Sequence, residues 1–290
     1  MPRSGLSTFL FALPLLVIFG LFSWLPIGRS LVMSFQKTNL ITSSWVGLDN
    51  FRTVLADPLL GKAIANTGWF ALLALVLGYP VPLIAAVLMS DVRRMKGLYS
   101  ALAYLPVIVP PVVAVLLWRF FYDPRPEGVF NTLLGGVGIG PLPWLQSQTW
   151  AMPSLVLEAT WAAAGGTMII YLAALTSVPP ELYDAAEVDG ASIWRKVFHV
   201  TLPHLRGVLL ITLILQIIGT SQVFLEPYLF TNGGPADATL TILLLIYRYA
   251  FGQSLGGDYG EATALSLMLA LFLAILSFVY LRLTRTWSTT

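Results

Sequence analysis

Six stretches of this 290-residue chain are long, apolar and nearly free of charge, and together they leave few folds open. They cover about residues 9–27, 65–90, 98–121, 152–176, 208–226 and 262–281. A helix crossing the hydrocarbon core of a bilayer needs roughly 20 such residues. Lipid offers no partner to a backbone N–H or C=O, and a helix satisfies these groups within the segment. Composition agrees, with 57% hydrophobic residues, only 10% charged and a mean hydropathy of +0.80. A soluble domain carries about 25% charged residues, so this chain cannot keep most of its surface in water. The expected fold class is an all-α membrane protein with six transmembrane helices.

The first stretch follows Arg3 and could be taken for a secretory signal. A signal's apolar core is only about 7–15 residues and ends at small residues. Here the run is longer and ends in Trp24-Leu25-Pro26, so it reads as an uncleaved first helix. Prolines 80 and 82 interrupt the second stretch, and Pro106, Pro110 and Pro111 the third. Both spans are therefore expected to be kinked and packed inside a bundle, where neighbours or water satisfy the freed carbonyls. A seventh run, Leu240–Phe251, is too short to span and is expected as an interfacial or re-entrant helix between spans five and six.

Several function classes fall away on composition. With no cysteine there is no disulfide framework, thiolate metal site or cysteine nucleophile. Two histidines, His199 and His204, are too few for an ordinary zinc site, and the net charge of +2 is too small and scattered for nucleic acid. Six spans put both termini on one side. That side carries Arg3, Arg93, Arg94, Lys96, Arg195, Lys196, Arg206, Arg282 and Arg285 in short segments. The longer opposite side carries Arg29, Lys37, Arg52, Lys62, Arg119, Arg125 and Arg248. Lysine and arginine density sets orientation, so the termini and the polar insert 181–203 are expected in the cytoplasm.

That insert reads ELYDAAEVDGASIWRKVFHVTLP. Pro179-Pro180 stops the fourth span, and Pro180 suits the first position of a new helix. Glu181, Asp184 and Glu187 follow near that helix's positive end. Ala185 and Ala186 remove bulk where a partner could approach the backbone. Gly190 stands where a helix closes in a left-handed residue. Ser192 can cap a second short helix, 193–200, which carries Arg195 and Lys196 before Leu202-Pro203 ends it. On local features alone, an ordinary inter-helix loop with good capping is an equal reading.

A resemblance to a known family bears on the choice. Asp184-Ala185-Ala186, three residues, Gly190, nine residues and Val200-Thr201-Leu202-Pro203 together resemble the EAA signature of bacterial ABC importer permeases. Asp184 replaces the usual Glu and Val200 the usual Ile. Downstream, Thr231-Asn232-Gly233-Gly234-Pro235 resembles the TNGGP segment of the carbohydrate-importer branch, the maltose and glycerol-3-phosphate type, in its first-permease form. Trp118, Asn131, Trp161, Tyr247, Tyr259-Gly260 and the Trp45–Phe51 segment fit the same pattern.

The resemblance implies the type I importer permease fold with a cytoplasmic coupling helix. Residues 1–63 would form the first helix and an external segment, and 64–290 a five-helix core with a coupling loop at 178–206. It implies that the ATP-hydrolysing partner is met by Glu181, Asp184, Ala185, Ala186, Glu187, Gly190, Leu202 and Pro203. Asp184 would take the place of the family glutamate that meets a basic residue of that partner. The chain has no G-x-x-x-x-G-K-[ST] loop, so no cofactor is expected on it. ATP and magnesium would sit on the partner. The implied partners are an ATPase dimer, a second related permease, an extracytoplasmic sugar-binding protein, the carbohydrate itself and membrane lipid.

Polar groups at membrane depth usually face a cavity. Glu158 and Trp161 in span four, with Gln216, Thr220, Ser221 and Gln222 in span five, are the candidates. Gln216 and Thr220 share one helical face, and both match positions that face the sugar in the maltose-type permease. Amides, a carboxylate and a flat aromatic are what a sugar needs. Equally open is a purely structural role, with Thr and Ser bonding their own helix and Gln216 or Glu158 tying helices together. His199 and His204 read as contacts with lipid headgroups or the ATPase. Glycerol-3-phosphate is an alternative cargo, although no basic residue stands in mid-span. A self-contained secondary transporter is the alternative class, and it would call for more intramembrane acids than Glu158.

Overall fold

The computed structural model describes residues 4–90, 92, 94–252 and 257–285. Arg3 and Arg93, two of the cations that orient the chain by sequence, lie outside the described residues, as do the side chains of Lys96 and Arg285. Among the described residues five helices are long and apolar enough to cross a membrane: Ser7–Met33, Pro58–Ser90, Ala151–Leu175, Ile193–Ser221 and Tyr259–Thr284. The expected third span is a pair of helices, Gly97–Ile108 and Pro111–Phe121, bent by 98°, and it makes a sixth crossing if the pair is one span. The break follows from Pro110-Pro111. A residue before proline is pushed out of the helical region, and Val109 and Pro110 are both extended, with ψ of 126° and 133°.

At Pro26, Pro80 and Pro203 the helix runs on, which corrects the three expectations placed there. A π-helical turn at Gly20–Trp24 precedes Pro26, one at Ala74–Gly78 precedes Pro80, and one at Val197–Thr201 precedes Pro203. A proline ring collides with the carbonyl four residues back and brings no N–H. A turn closed over five residues moves that carbonyl aside, as in the 2.8 Å bond from Tyr79 N–H to the Ala74 carbonyl. Span one therefore continues to Met33, and span two runs unbroken through Pro80 and Pro82. Pro203 does not end the short helix after Ser192. It lies in the first turn of Leu202–Ser221, and span five starts at Ile193.

Span five also ends earlier than residue 226. Its last turn carries Thr220, Ser221 and Gln222, whose side chains donate to the carbonyls of Gln216, Ile217 and Ile218 at 2.8, 2.7 and 3.2 Å. Side chains that compete for helix carbonyls favour termination. The short apolar run forms the helix Ile242–Phe251, too short to span.

The chain packs as two units. One comprises residues 1–60 and 245–274. It amends the all-helical expectation with a two-stranded antiparallel hairpin, Gln36–Thr38 against Ser43–Trp45. The buried Asn50 amide donates to the Ser34 and Gln36 carbonyls, both at 2.9 Å, and holds the hairpin's first strand. The Tyr249 hydroxyl donates to the Asp57 carboxylate in the same unit.

The other unit comprises residues 61–244 and 275–290. Its larger core gathers Trp118, Tyr122, Trp144, Met152, Leu155 and Phe230, with Trp161 and Phe130 packed against it. Asn131 knots the adjoining loop. Its carbonyl oxygen accepts from Leu142 N–H and Trp144 Nε1, both at 2.9 Å, and its amide donates to the Arg125 and Leu142 carbonyls at 3.1 Å. Gly165 lets span four lie against Gly97–Ile108, because a Cβ there would collide with the Ala103 carbonyl.

Candidate functional site

The polar insert folds as a bracket of two helical pieces. Pro180 opens the helix Pro180–Val188 with Glu181 in its first turn. Gly190 closes it at φ +69°. The Gly190 N–H donates to the Glu187 carbonyl at 3.0 Å and the Ala191 N–H to the Ala186 carbonyl at 2.9 Å. These are the paired bonds of a glycine-terminated helix. Ser192 then caps Ile193–Lys196 by accepting from the Arg195 N–H. Lys196 reaches back to Glu187 at 3.2 Å and braces the two pieces.

Along the bracket helix, Glu181, Asp184, Ala185 and Glu187 are exposed and Ala186 is half-buried. A Cβ on Gly190 would meet nothing within 4 Å, so the glycine answers to backbone conformation and not to crowding. Leu202 is half-buried and Pro203 exposed in the first turn of span five's main helix.

The bracket is tied to the bundle by side chains to which the sequence reading gave no role of their own. The Tyr183 and Thr201 hydroxyls lie 3.0 Å apart, and Thr201 is buried. Tyr183 and Val200 pack on a small core of Ala86, Met168, Tyr171, Val178 and Leu205. Within that region the Tyr171 hydroxyl is 2.7 Å from the Thr212 hydroxyl, and the Tyr79 hydroxyl donates to the Leu209 carbonyl at 2.6 Å. Spans two, four and five thus meet at one hydroxyl cluster. The available signal was a tyrosine or threonine hydroxyl at membrane depth, where a partner is required.

Tyr79 and Thr212 also face a cleft of about 550 Å³. Gln216, Thr220 and Gln222 line it, together with Thr160, Thr167, Phe70, Phe224 and Glu226. The structure brings these three expected residues together on the end of span five. Their chemistry differs. Thr220 spends its hydroxyl proton on the Gln216 carbonyl, and Gln222 donates to Ile218. The half-buried Gln216 amide makes no hydrogen bond to any described residue, which leaves it open to the cleft.

Glu158 and Trp161 do not line this cleft. Glu158 is only 3% exposed and its Oε2 has no partner. Trp161 packs on Trp118, ring centres 5.6 Å apart, at the edge of the aromatic core. Among the described residues no group of acids and histidines could hold a metal ion.

Known proteins resemble this chain in sequence and in fold. The sequence profile of the family described as binding-protein-dependent transport system inner membrane component matches residues 78–287. A lactose transport system permease protein from Rhizobium radiobacter is 33% identical, with 93% of this chain and 91% of that protein covered. An arabinooligosaccharides transport system permease protein from Bacillus subtilis is 30% identical, with 96% and 88% covered. Among solved structures, a chain of a bacterial alginate ABC transporter, in complex with an alginate pentasaccharide-bound periplasmic protein, superposes with a TM-score of 0.84. It is 26% identical, over 98% of this chain and 95% of that one.

Proposed function

Because the chain belongs to the family of binding-protein-dependent transport system inner membrane components, we propose that it is the permease subunit of an ATP-driven importer of a neutral di- or oligosaccharide. The observation that carries this reading is the cleft. Its volume lies in the range of small-ligand sites, roughly 300–1,000 Å³. Its walls combine the aromatic faces of Phe70, Tyr79 and Phe224 with the free amide of Gln216 and the carboxyl of Glu226. Hydroxyl-rich ligands need such donors and acceptors beside flat apolar faces. Among the described residues no lysine or arginine lines the cleft, which disfavours a phosphate or uronate cargo. Relatives named for lactose and for arabinooligosaccharides support the same class.

The energy would come from outside this chain, since it carries no phosphate-cradling loop. In this reading the bracket lies in the cytoplasm and Pro180–Val188 docks on an ATPase subunit, which holds ATP and magnesium. The exposed Asp184, Ala185 and Glu187 would face that subunit. A second, related permease completes the pathway, and an external binding protein delivers the sugar. Closure of the ATPase pair would push the bracket. Tyr183–Thr201 would pass the displacement into span five, and the Tyr79–Thr212–Tyr171 cluster would pass it on to spans two and four at the edge of the cleft. Access then alternates between the two sides.

Uptake of labelled sugars into vesicles carrying the complete importer and its binding protein tests this directly. Accumulation should require ATP and the binding protein. Gln216→Ala should lower uptake by roughly three- to tenfold, the scale of one net hydrogen bond, with the complex still assembled. Uptake driven by an ion gradient without ATP would overturn the proposal.

A further inference from the structure

The segment between Ser192 and Leu202 has two different faces. Lys196, Val197, Val200 and Thr201 are half-buried or buried, and Lys196 and Thr201 are bonded to the bracket helix through Glu187 and Tyr183. Trp194, Arg195, Phe198 and His199 form the opposite face and are all exposed. Trp194 is 69% and Phe198 59% exposed, so two large aromatic side chains stand on the surface one turn apart. The His199 Nδ1 lies 3.1 Å from the Arg195 carbonyl.

This face is continuous with a membrane span, because it lies on the helix Ile193–Ser221, which is long and apolar enough to cross a membrane. It therefore sits where that helix leaves the hydrocarbon, the level at which tryptophan is enriched and arginine meets headgroups. Its cations are on the same side as its aromatics, and the bracket's acids Glu181, Asp184 and Glu187 belong to the other helical piece. The bracket helix, the expected docking element for another protein, contacts the opposite face. The occupant that matches aromatic rings and cations together, at the edge of a bilayer, is an anionic lipid surface.

We propose that the Trp194–Arg195–Phe198–His199 face lies in the headgroup layer and binds anionic phospholipid, anchoring the elbow between bracket and span five. The rings enter the boundary between headgroups and acyl chains while Arg195 and His199 meet lipid phosphate. The inference rests on the membrane span and not on the identity of the cargo or of the energy source. It therefore survives or fails separately from the importer reading.

The absence of cysteine from the chain allows single labels. The experiment uses the full complex, its other subunits freed of cysteine. It compares nanodiscs of phosphatidylcholine alone with nanodiscs of phosphatidylcholine and phosphatidylglycerol. Spin labels introduced by Trp194→Cys and by Phe198→Cys should collide more with oxygen than with a water-soluble nickel chelate, whether or not the ATPase is bound. Spin-labelled phosphatidylglycerol should be retained over phosphatidylcholine by the unmodified complex, and Arg195→Gln should cut that preference by roughly fivefold. Nickel access exceeding oxygen access at both positions would place the face in water and overturn the proposal. Protection from both reagents only when the ATPase is bound would assign the face to protein and overturn it equally. Equal retention of the two lipids would refute the anionic specificity.

Discussion

Gly190 is the residue whose chemistry is most constrained by its position. Its φ of +69° is open to glycine, costs an ordinary L-residue roughly 1–2 kcal/mol, and is closed to proline, whose φ is fixed near −65°. Gly190→Ala should therefore weaken transport only modestly, since a Cβ meets nothing there. Gly190→Pro should abolish uptake while the protein remains at normal level in the membrane, as read by immunoblot of the membrane fraction beside the uptake assay. Normal uptake by a fully expressed Gly190→Pro protein would remove the bracket from the mechanism. Asn131 makes the opposite kind of prediction. Asn131→Ala would strand the Leu142 N–H and the Trp144 Nε1, at about 1–3 kcal/mol for each buried group left unpaired. Thermal unfolding of the purified complex should shift down, whereas substrate preference should stay the same.

At the scale of the element, the bracket was legible in the sequence and its connection to the bundle was not. Pro180, Glu181, Gly190 and Ser192 announced a helix, a left-handed close and a new cap, and each took that role, because caps are local chemistry. The continuation through Pro203 was hidden, since a proline in a sequence gives no sign of the π-turn that will accommodate it. The same device hid the true length of span one at Pro26. The hairpin at residues 36–45 was also missed, because strands of three residues show no usable alternation.

The cleft was partly readable. Gln216 and Thr220 stood out as polar residues on one helical face. The separation of Glu158 and Trp161 from them depended on how spans pack, which no single stretch encodes. The Tyr183–Thr201 pair, bridging bracket and span, yields the prediction at this scale. Tyr183→Phe removes one hydroxyl and keeps the ring's packing. It should leave sugar binding in the cleft unchanged and reduce the number of sugars moved per ATP hydrolysed, measured by parallel uptake and hydrolysis assays. An unchanged ratio would show that the displacement enters span five elsewhere.

At the scale of the whole molecule, the chain is a set of membrane helices, and its proposed contact with the ATPase lies at the bracket. Asp184, Ala185 and Glu187 are exposed, and among the described residues Glu187 forms an ion pair with Lys196. Placing the coupling there would explain why the helix is short, opened by Pro180, closed by Gly190 and braced against span five. A free loop would absorb a push, whereas a closed and braced bracket would transmit it. The most direct test is disulfide or thiol-specific cross-linking from Ala185→Cys to the ATPase subunit in the assembled importer. The account predicts one cross-linked species that forms in the membrane and halts uptake, with uptake restored on reduction. Failure of Ala185→Cys, and of Asp184→Cys beside it, to cross-link to any ATPase in an actively transporting complex would contradict it.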